Sequence, residues 1–336
     1  MTGLPDQMTA IVVEAPGGPE VLQPKSVPTP RPANGDVLIR VAAAGLNRAD
    51  LSQRSGTYGA RSPTPKPPGV LGLEVSGVVA AVGEGVAGWK VGDAVCALIN
   101  GGGYAEFAVS PAAQCLPVPK GVTFVDAGGL PEACITVWLN VFDLCQLQPG
   151  EWLLVHGGTS GIGTIAIQMA RALGSPVIAT AGTPEKCRRC EELGADRGVD
   201  YRTEDFVKAV QDATGGAGVD VILEMVGGDY LERGVRAMAP GGRLAIIALR
   251  KGAKVEFDFS AVQAKDAVIT GSRLMPRSPV EKARLVAAVR KAVWPQIEAG
   301  RIRPVVDRTF ALREASQAHA YMDSGKHVGK ILLTTG

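Results

Sequence analysis

The sequence predicts an α/β protein in which a doubly wound parallel sheet is joined to a smaller, mostly β domain. The first 130 residues contain short β-branched segments separated by proline- and glycine-rich turns, as in strands and hairpins. From about residue 131, apolar segments of strand length alternate with stretches of helical length, which is typical of a parallel sheet with helices on both faces. The 336 residues are enough for two domains of roughly 150 residues each.

The predicted elements follow in this order. The strands of the first part are AIVVE, DVLIRVAAAG and VSGVVAAVG. Those of the second part, with helices between them, are WLLVH, PVIATA, RGVDY, VDVILEMV and GGRLAIIAL. After AVITGSRL, a long helix is predicted from Pro279 to about Glu298, and the tail returns to strand, short helix and strand. The apolar positions of that long helix are Leu285, Val286, Val289, Val293 and Ile297.

Composition excludes several classes of protein. Lysine and arginine total 35 and aspartate and glutamate 33, so no basic face for nucleic acid is expected. No apolar stretch approaches the roughly 18 residues of a membrane-spanning helix, and the opening residues lack the pattern of a secretory signal. Six cysteines are too few for a disulfide scaffold. The pair Cys187 and Cys190 is predicted to lie on a buried helix face, with a metal or redox role as the alternative. We therefore expect a soluble cytoplasmic protein without nucleic-acid or membrane partners.

The segment WLLVHGGTSGIGTIAIQMARALG carries the most chemical information, because a buried strand runs through a glycine-rich turn into a helix. In the dinucleotide fingerprint G-x-G-x-x-G, the first glycine allows the tight turn and the third lets the helix approach the strand. The pyrophosphate binds at the helix N-terminus. Here Gly158 and Gly163 take the first and third places, while Ser160 replaces the second glycine and Gly161 follows it. The strand before and the helix after favour dinucleotide binding over a merely structural turn.

The end of the next strand bears on the choice of cofactor. Proteins that bind NAD usually place Asp or Glu there to hold the ribose 2′-hydroxyl. This sequence has Ala181, Gly182 and Thr183, with no acid, followed by Lys186. A hydroxyl and an ammonium group would bind a 2′-phosphate, which an acid would repel. The pattern favours NADPH; the alternative is that Lys186 is simply a solvated helix residue.

At this point several segments resemble the zinc-free quinone oxidoreductases of the medium-chain dehydrogenase/reductase superfamily. They are NRADLSQRSGTY, LGLEVSGVVAAVGEGV, VGDAVCALINGGGYAEF, VHGGTSGIG and HVGKILLT, which together cover nearly the whole chain in order. The resemblance implies a GroES-like, mostly β catalytic domain over residues 1–130, completed by 302–336, and a Rossmann NADPH-binding domain over 131–301. It also implies that the cofactor lies in the cleft between them.

The resemblance also bears on metal binding, because the superfamily contains zinc-dependent alcohol dehydrogenases. Those enzymes have Cys where this sequence has Asn47, and His where it has Leu73. Catalytic zinc needs three converging protein ligands, and the remaining Glu74 supplies one. The four-cysteine loop of a structural zinc site is missing as well. No metal is expected.

The resemblance implies that Asn47 and Tyr58 face the nicotinamide and the substrate. Both can donate a hydrogen bond to a carbonyl oxygen that gains negative charge. Two alternatives stay open: Asn47 caps a helix that begins at Arg48, and Tyr58 only forms a wall of the pocket. His156 ends the first strand of the second domain, and we expect it to make structural hydrogen bonds.

The resemblance implies further cofactor contacts at positions spread over the second domain. Thr136 would lie beside the nicotinamide amide, and the glycine-rich turn would hold the pyrophosphate. The end of the second strand and Tyr201 would surround the 2′-phosphate. The full set of implied cofactor contacts is Asn47, Thr136, Gly158, Ser160, Gly161, Ile162, Gly182, Thr183, Lys186, Tyr201, Val226, Gly227, Ala248, Leu249 and Leu274.

These expectations combine into an NADPH-dependent quinone oxidoreductase that transfers hydride without zinc. The motifs do not separate this activity from reduction of an activated C=C bond in an alkenal, enone or enoyl thioester. A third possibility is an NADPH-binding structural or regulatory protein with little turnover. The apolar segment AVITGSRL is predicted to be an edge strand, and covering it predicts a homodimer.

Overall fold

A computed structural model of the protein describes residues 3–58 and 69–336. The chain divides into two compact units. The first comprises Met1–Ile135, Met275–Glu298 and Pro304–Gly336, and the second comprises Thr136–Leu274 and Ala299–Arg303. No helix in the described part of the chain is long and apolar enough to cross a lipid bilayer.

The strands and helices are as follows. The strands are β1 Gln7–Val13, β2 Leu22–Pro28, β3 Asp36–Gly45, β4 Gly69–Val70, β5 Glu74–Val82, β6 Ala94–Leu98, β7 Phe107–Pro111, β8 Cys115–Pro117, β9 Leu153–Val155, β10 Val177–Ala181, β11 Arg197–Asp200, β12 Val219–Glu224, β13 Met238–Ile246, β14 Val268–Gly271, β15 Val306–Ala311 and β16 Lys330–Thr334. The α-helices are α1 Arg48–Arg54, α2 Phe124–Ala127, α3 Pro131–Val137, α4 Gly161–Ala172, α5 Pro184–Glu192, α6 Phe206–Ala213, α7 Tyr230–Ala237, α8 Ser260–Ala264, α9 Pro279–Ala292, α10 Trp294–Glu298 and α11 Ala315–Asp323. Single turns of 3-10 helix lie at Pro19–Val21, Ala112–Gln114 and Leu312–Glu314, and a π-helix lies at Trp138–Leu144.

The first unit is built around a mostly antiparallel sheet in the order β15-β16-β3-β5-β6-β8, with β7 also pairing with β3. A smaller sheet has the order β2-β1-β4. The tail completes the larger sheet, because Leu332 and Leu333 of β16 pair with Gly45 and Ala44 of β3. The core of the first unit contains fully buried aliphatic side chains from β1, β3 and β5.

The second unit contains a six-stranded parallel sheet in the order β11-β10-β9-β12-β13-β14. Counted along the unit, this is the order 3-2-1-4-5-6 of a doubly wound nucleotide-binding fold. The order reverses between β9 and β12, and ligands bind to such sheets at the carboxyl ends of the strands beside that reversal. The predicted fold class, a Rossmann sheet with a GroES-like domain, is confirmed.

The structure differs from the sequence prediction in the segment after the sixth strand of this sheet. The predicted long helix is two helices, α9 and α10, separated at Val293, and both belong to the first unit. Buried Lys282 on α9 donates to Asn100 Oδ1 at 2.6 Å, and Trp294 Nε1 donates to the carbonyl oxygen of Pro117 at 2.7 Å. The apolar spacing predicted which side of the helix is buried, but spacing cannot say which unit it packs on.

Candidate active site

The glycine-rich turn between β9 and α4 has a backbone path that tolerates no side chain at two positions. A Cβ on Gly163 would lie 2.3 Å from the carbonyl oxygen of Gly157, and a Cβ on Gly158 would lie 2.7 Å from Cys190 Sγ. Gly157, with a φ of +68°, makes the left-handed turn, although the fingerprint assigns that role to Gly158. The close approach of helix to strand is the feature that the fingerprint requires.

Ser160 explains why the second fingerprint glycine is absent. It stands at the N-cap position of α4, where its Oγ accepts the N–H of Gly163 at 2.9 Å. This bond uses one amide of the first turn, and the remaining amides and the helix dipole favour an anion there. Gly161 and Ile162 open the helix and are partly exposed. The turn therefore fits a cofactor pyrophosphate.

The four residues expected around the 2′-phosphate come together at the ends of β10 and β11. Thr183 caps α5, since its Oγ1 accepts the N–H of Lys186 at 3.2 Å. A Cβ on Gly182 would lie 2.7 Å from Tyr201 Oη, so the phenol lies directly against this glycine. The side chain of Tyr201 is 45% exposed, as a group that contacts a ligand would be. Within this edge, Thr183, Lys186 and Tyr201 offer hydrogen-bond donors.

The ends of β12 and β13 also lie close together. The turn after β12 is held by Glu224, whose Oε1 accepts the N–H groups of Val226 and Gly227, the latter at 2.9 Å. A Cβ on Gly227 would lie 2.9 Å from Leu249 Cδ2, which follows β13 together with the partly exposed Ala248. Sequence reasoning did not identify Glu224, although an acid ending an otherwise apolar strand is a visible signal.

A second buried polar residue that sequence reasoning missed connects two expected contacts. Asn140 Nδ2 donates to the carbonyl oxygen of Thr136 at 2.8 Å. Its Oδ1 accepts the hydroxyl of Ser272 at 2.7 Å, two residues before the buried Leu274. Thr136 and the segment after β14 are therefore fixed through one amide.

Asn47 lies in the first unit at the N-cap position of α1. Its N–H donates to Asp50 Oδ2 at 2.8 Å. Its side chain is directed elsewhere: Nδ2 donates to Glu74 Oε1 at 3.0 Å and Oδ1 accepts from Lys330 Nζ at 2.6 Å. The amide is thus held from both ends by buried charged groups. The nearest acceptor for its second N–H is the carbonyl oxygen of Gly45, at 3.4 Å.

Lys330 is the main functional candidate that the sequence did not reveal. Its Nζ lies 2.5 Å from Glu74 Oε1 and 3.9 Å from Glu132 Oε2. Burial acts to lower the pKa of Lys330, but the carboxylates of Glu74 and Glu132 outweigh it and the pKa is raised. Within residues 3–58 and 69–336, no three His, Cys, Asp or Glu side chains are grouped as metal ligands would be. Beside Asn47 and Glu74 lies the ammonium group of Lys330.

A chain of buried hydrogen bonds leads away from Asp50. Tyr104 Oη donates to Asp50 Oδ2 at 3.0 Å and lies 3.1 Å from His319 Nε2. His319 Nδ1 lies 3.3 Å from Arg54 Nη1, so Nδ1 accepts and the ring proton is on Nε2. Burial lowers the pKa of His319 to about 3 and raises the pKa of Asp50 to about 7. Tyr58 follows helix α1, is partly exposed, and directly precedes the residues outside the described range.

The two cysteines of the CxxC pair are buried in the second unit, as predicted for a core-facing pair. Cys187 is 7% exposed and Cys190 is fully buried. Cys190 packs against the glycine-rich turn at Gly158.

Comparison with known proteins agrees with this geometry. The model of the alcohol dehydrogenase GroES-like domain matches residues 33–120, and that of the zinc-binding dehydrogenases matches residues 161–289. Rat quinone oxidoreductase is 34% identical over 330 residues, covering 97% of each chain. The 2-haloacrylate reductase of a Burkholderia species is 31% identical and covers 96% of this chain and 98% of its own.

Among solved structures, the quinone oxidoreductase of Escherichia coli in complex with NADPH superimposes with a TM-score of 0.87. It is 29% identical in sequence and covers 97% of this chain and 99% of its own. The oxidoreductase fold, the fingerprint turn and full-length similarity all agree. The chain belongs to the quinone-oxidoreductase type of the medium-chain dehydrogenase/reductase family.

Proposed function

We propose that the protein is a cytoplasmic NADPH-dependent quinone oxidoreductase that works without zinc. The observation that carries the proposal is the buried Lys330 ammonium beside Asn47 and Glu74. Asn47 stands where the zinc enzymes that the sequence resembles have a cysteine ligand. Glu74 directly follows Leu73, which stands where those enzymes have a histidine ligand. Because the lysine already neutralises Glu74, that carboxylate has no uncompensated charge to offer a divalent cation.

The edge formed by β10 and β11 supports NADPH as the cofactor. No carboxylate stands at the end of β10, from Ala181 to Thr183, so no side chain in that stretch would repel a 2′-phosphate. Lys186 and Tyr201 offer an ammonium group and a phenol on the same edge. The NADPH found with the E. coli relative supports the same choice. We propose that the residues implied by the resemblance, from Thr136 to Leu274, form the cofactor site.

Bound NADPH would supply the hydride. Without a metal to polarise the acceptor, transfer is easiest to a compound that is already electrophilic, such as a quinone. We propose that Asn47 and Tyr58 contact the substrate and donate hydrogen bonds to the oxygen that gains charge. For Asn47 this donor is the second amide N–H, because the first is committed to Glu74 and the second makes only a long contact of 3.4 Å with the carbonyl oxygen of Gly45.

Two other functions remain as alternatives. Reduction of an activated C=C bond uses the same hydride geometry, and the similarity to 2-haloacrylate reductase favours it. A structural or regulatory role with little turnover would show as tight NADPH binding without reduction of any acceptor.

We also propose that the protein forms a homodimer through β14. Val268 and Ile269 of this edge strand are 53% and 36% exposed. An apolar edge strand that is exposed to solvent readily pairs with another strand. Sedimentation at micromolar concentration that shows only a 34.8 kDa species would contradict the proposal.

The activity is tested by following NADPH absorbance with protein that has been treated with EDTA and checked for residual zinc by mass spectrometry. NADPH and NADH are each offered a quinone and an enone, and NADP is offered an alcohol. We expect quinone-dependent loss of NADPH that the chelator does not change. Reduction of the enone alone would replace the proposed activity with its first alternative. Alcohol oxidation that EDTA abolishes would contradict zinc independence.

A further inference from the structure

Three buried side chains form a line across the centre of the parallel sheet. Thr180 lies on β10, His156 directly follows β9 and Glu224 ends β12. These strands are neighbours in the order β10-β9-β12. His156 and Glu224 are fully buried and Thr180 is 1% exposed. The line therefore runs beneath the carboxyl edge where the strand order reverses.

One end of the line holds the glycine-rich turn. The N–H of Gly157 donates to Thr180 Oγ1 at 3.3 Å, and the same oxygen lies 3.1 Å from His156 Nδ1. A threonine hydroxyl that accepts one hydrogen bond still has its own proton to donate. Donation of that proton to Nδ1 makes Nδ1 an acceptor and places the single ring proton on Nε2.

The other end of the line holds the turn after β12. Glu224 Oε1 accepts the N–H groups of Val226 and Gly227. Its second oxygen, Oε2, lies 3.6 Å from His156 Nε2. Neither of these two atoms has a hydrogen-bond partner among the described residues. Because a buried polar atom without a partner is costly, each of the two is the natural partner of the other.

The surroundings keep the imidazole neutral. Phe206 and Tyr230 present their rings at 75° to it, with centroids 4.8 and 5.0 Å away, and the guanidinium of Arg233 lies 4.3 Å from the centre of the Phe206 ring. Burial, reinforced by the positive charge of Arg233, lowers the pKa of His156 to about 3. Burial raises the pKa of Glu224, although the backbone N–H groups that it accepts oppose this. A neutral ring with its proton on Nε2 directs that proton at Glu224 Oε2, and the 3.6 Å between the nitrogen and oxygen atoms is slightly longer than a hydrogen bond.

We propose that Thr180, His156 and Glu224 are positioning residues that link the Gly157 turn to the Val226–Gly227 turn and hold both in the shape that the cofactor requires. The inference rests on the proposed NADPH site, since the first turn is proposed to hold the pyrophosphate and Val226 and Gly227 of the second are among the proposed cofactor contacts. The three side chains reach the cofactor only through backbone that they fix. A change at one end of the line therefore alters the other.

The ring tautomer of His156 tests the link without any cofactor. The chain has three histidines, so nitrogen NMR of protein labelled at histidine is simple to assign with His319→Gln and His327→Gln variants. We expect the Nε2–H form in the unmodified protein. In Glu224→Gln the carboxamide nitrogen faces Nε2 as a donor, so the ring should change to the Nδ1–H form. An Nδ1–H ring in the unmodified protein, or no change in Glu224→Gln, would overturn the proposal.

Cofactor affinity, measured by NADPH fluorescence, tests the consequence. Glu224→Leu leaves two backbone N–H groups without an acceptor, and we expect the Kd for NADPH to rise about tenfold or more. Glu224→Gln keeps an acceptor oxygen and should recover most of that loss. His156→Leu should weaken binding, whereas His156→Gln should restore much of it, because its amide nitrogen can reach Glu224.

Hydrogen exchange separates the link from a purely local packing role. In Thr180→Val we expect faster amide exchange at Gly227, at the other end of the line, as well as at Gly157. If exchange rises only at Gly157, or if all folded variants bind NADPH equally well, the link does not exist. If the unmodified protein does not bind NADPH at all, the proposed function fails, while the tautomer measurement still decides the hydrogen-bond arrangement.

Discussion

The buried ion pair between Lys330 and Glu74 gives the sharpest test of how the first unit is stabilised. Lys330 is 5% exposed and Glu74 is fully buried, and their charged atoms are 2.5 Å apart. Replacing Lys330 with Met keeps the length of the side chain and removes the charge. The carboxylate of Glu74 then keeps the N–H of Glu132 and the amide of Asn47 as donors, but no longer has a cation beside it.

The expected cost is large because the remaining charge cannot be hydrated. Removing one partner of a buried ion pair typically costs about 3–5 kcal/mol, whereas replacing both with neutral groups costs far less. We therefore expect Lys330→Met to lose about that amount and the double variant Lys330→Met/Glu74→Gln to be more stable than Lys330→Met alone. A double-mutant cycle compares the unmodified protein, Lys330→Met, Glu74→Gln and the double variant. We expect it to give a coupling free energy of about 2 kcal/mol between the two side chains.

The assay is urea unfolding of all four proteins, followed by tryptophan fluorescence. The control is Lys208→Met, which breaks an ion pair with Asp212 whose side chains are 72% and 50% exposed. This change should alter the free energy of unfolding by no more than about 0.5 kcal/mol. The reasoning is refuted if Lys330→Met costs as little as the control, or if the cycle shows no coupling.

Three further predictions follow from individual groups. Gly163→Ala should raise the Kd for NADPH at least tenfold in fluorescence titration, because its Cβ would lie 2.3 Å from the Gly157 carbonyl oxygen. The control Gly271→Ala should bind NADPH normally, because the atom nearest to its added Cβ lies 3.8 Å away. Lys186→Ala should lower the ratio of kcat/KM for NADPH to kcat/KM for NADH by about tenfold, since a charge-assisted hydrogen bond to the 2′-phosphate is lost. An unchanged ratio would show that Lys186 does not contact the cofactor. Burial raises the pKa of Asp50 from 3.8 to about 7, so in that window the folded state holds a proton that the unfolded state has released, and stability falls as pH rises. Asp50→Asn should therefore become more stable relative to the unmodified protein by about 1.4 kcal/mol per pH unit across the window in urea titrations, and a constant difference would contradict the assigned ionisation.

Much of the second unit was predictable because its signals are local. The strand, the glycine-rich turn and the helix after it lie within one segment, and Gly158 and Gly163 are needed for backbone reasons that the fingerprint states. The alternation of strands and helices predicted the parallel sheet. The convergence of Gly182 and Tyr201 came only from the resemblance, because no spacing rule joins the ends of two separate strands.

The buried charges were not predicted, because their partners are distant in sequence. Lys330 opens a five-residue strand and contacts Asn47 and Glu74, which lie near the other end of the chain. A signal was nevertheless present, since a lysine beside a run of buried apolar residues must be paired. Lys282 shows the same signal on a helix, three and four positions before Leu285 and Val286 on the buried stripe. In both cases the partner becomes visible only when the sheet or loop that holds it is in place.

Absence of the Cys and His ligands alone would not explain how the proposed enzyme works without zinc. Removing Cys and His ligands leaves the acid at position 74, and a fully buried carboxylate requires compensating charge. Lys330 supplies that charge and also holds the oxygen of Asn47, so one side chain neutralises the acid and orients the amide. Glu74 and Lys330 therefore belong together in the proposed zinc-free site.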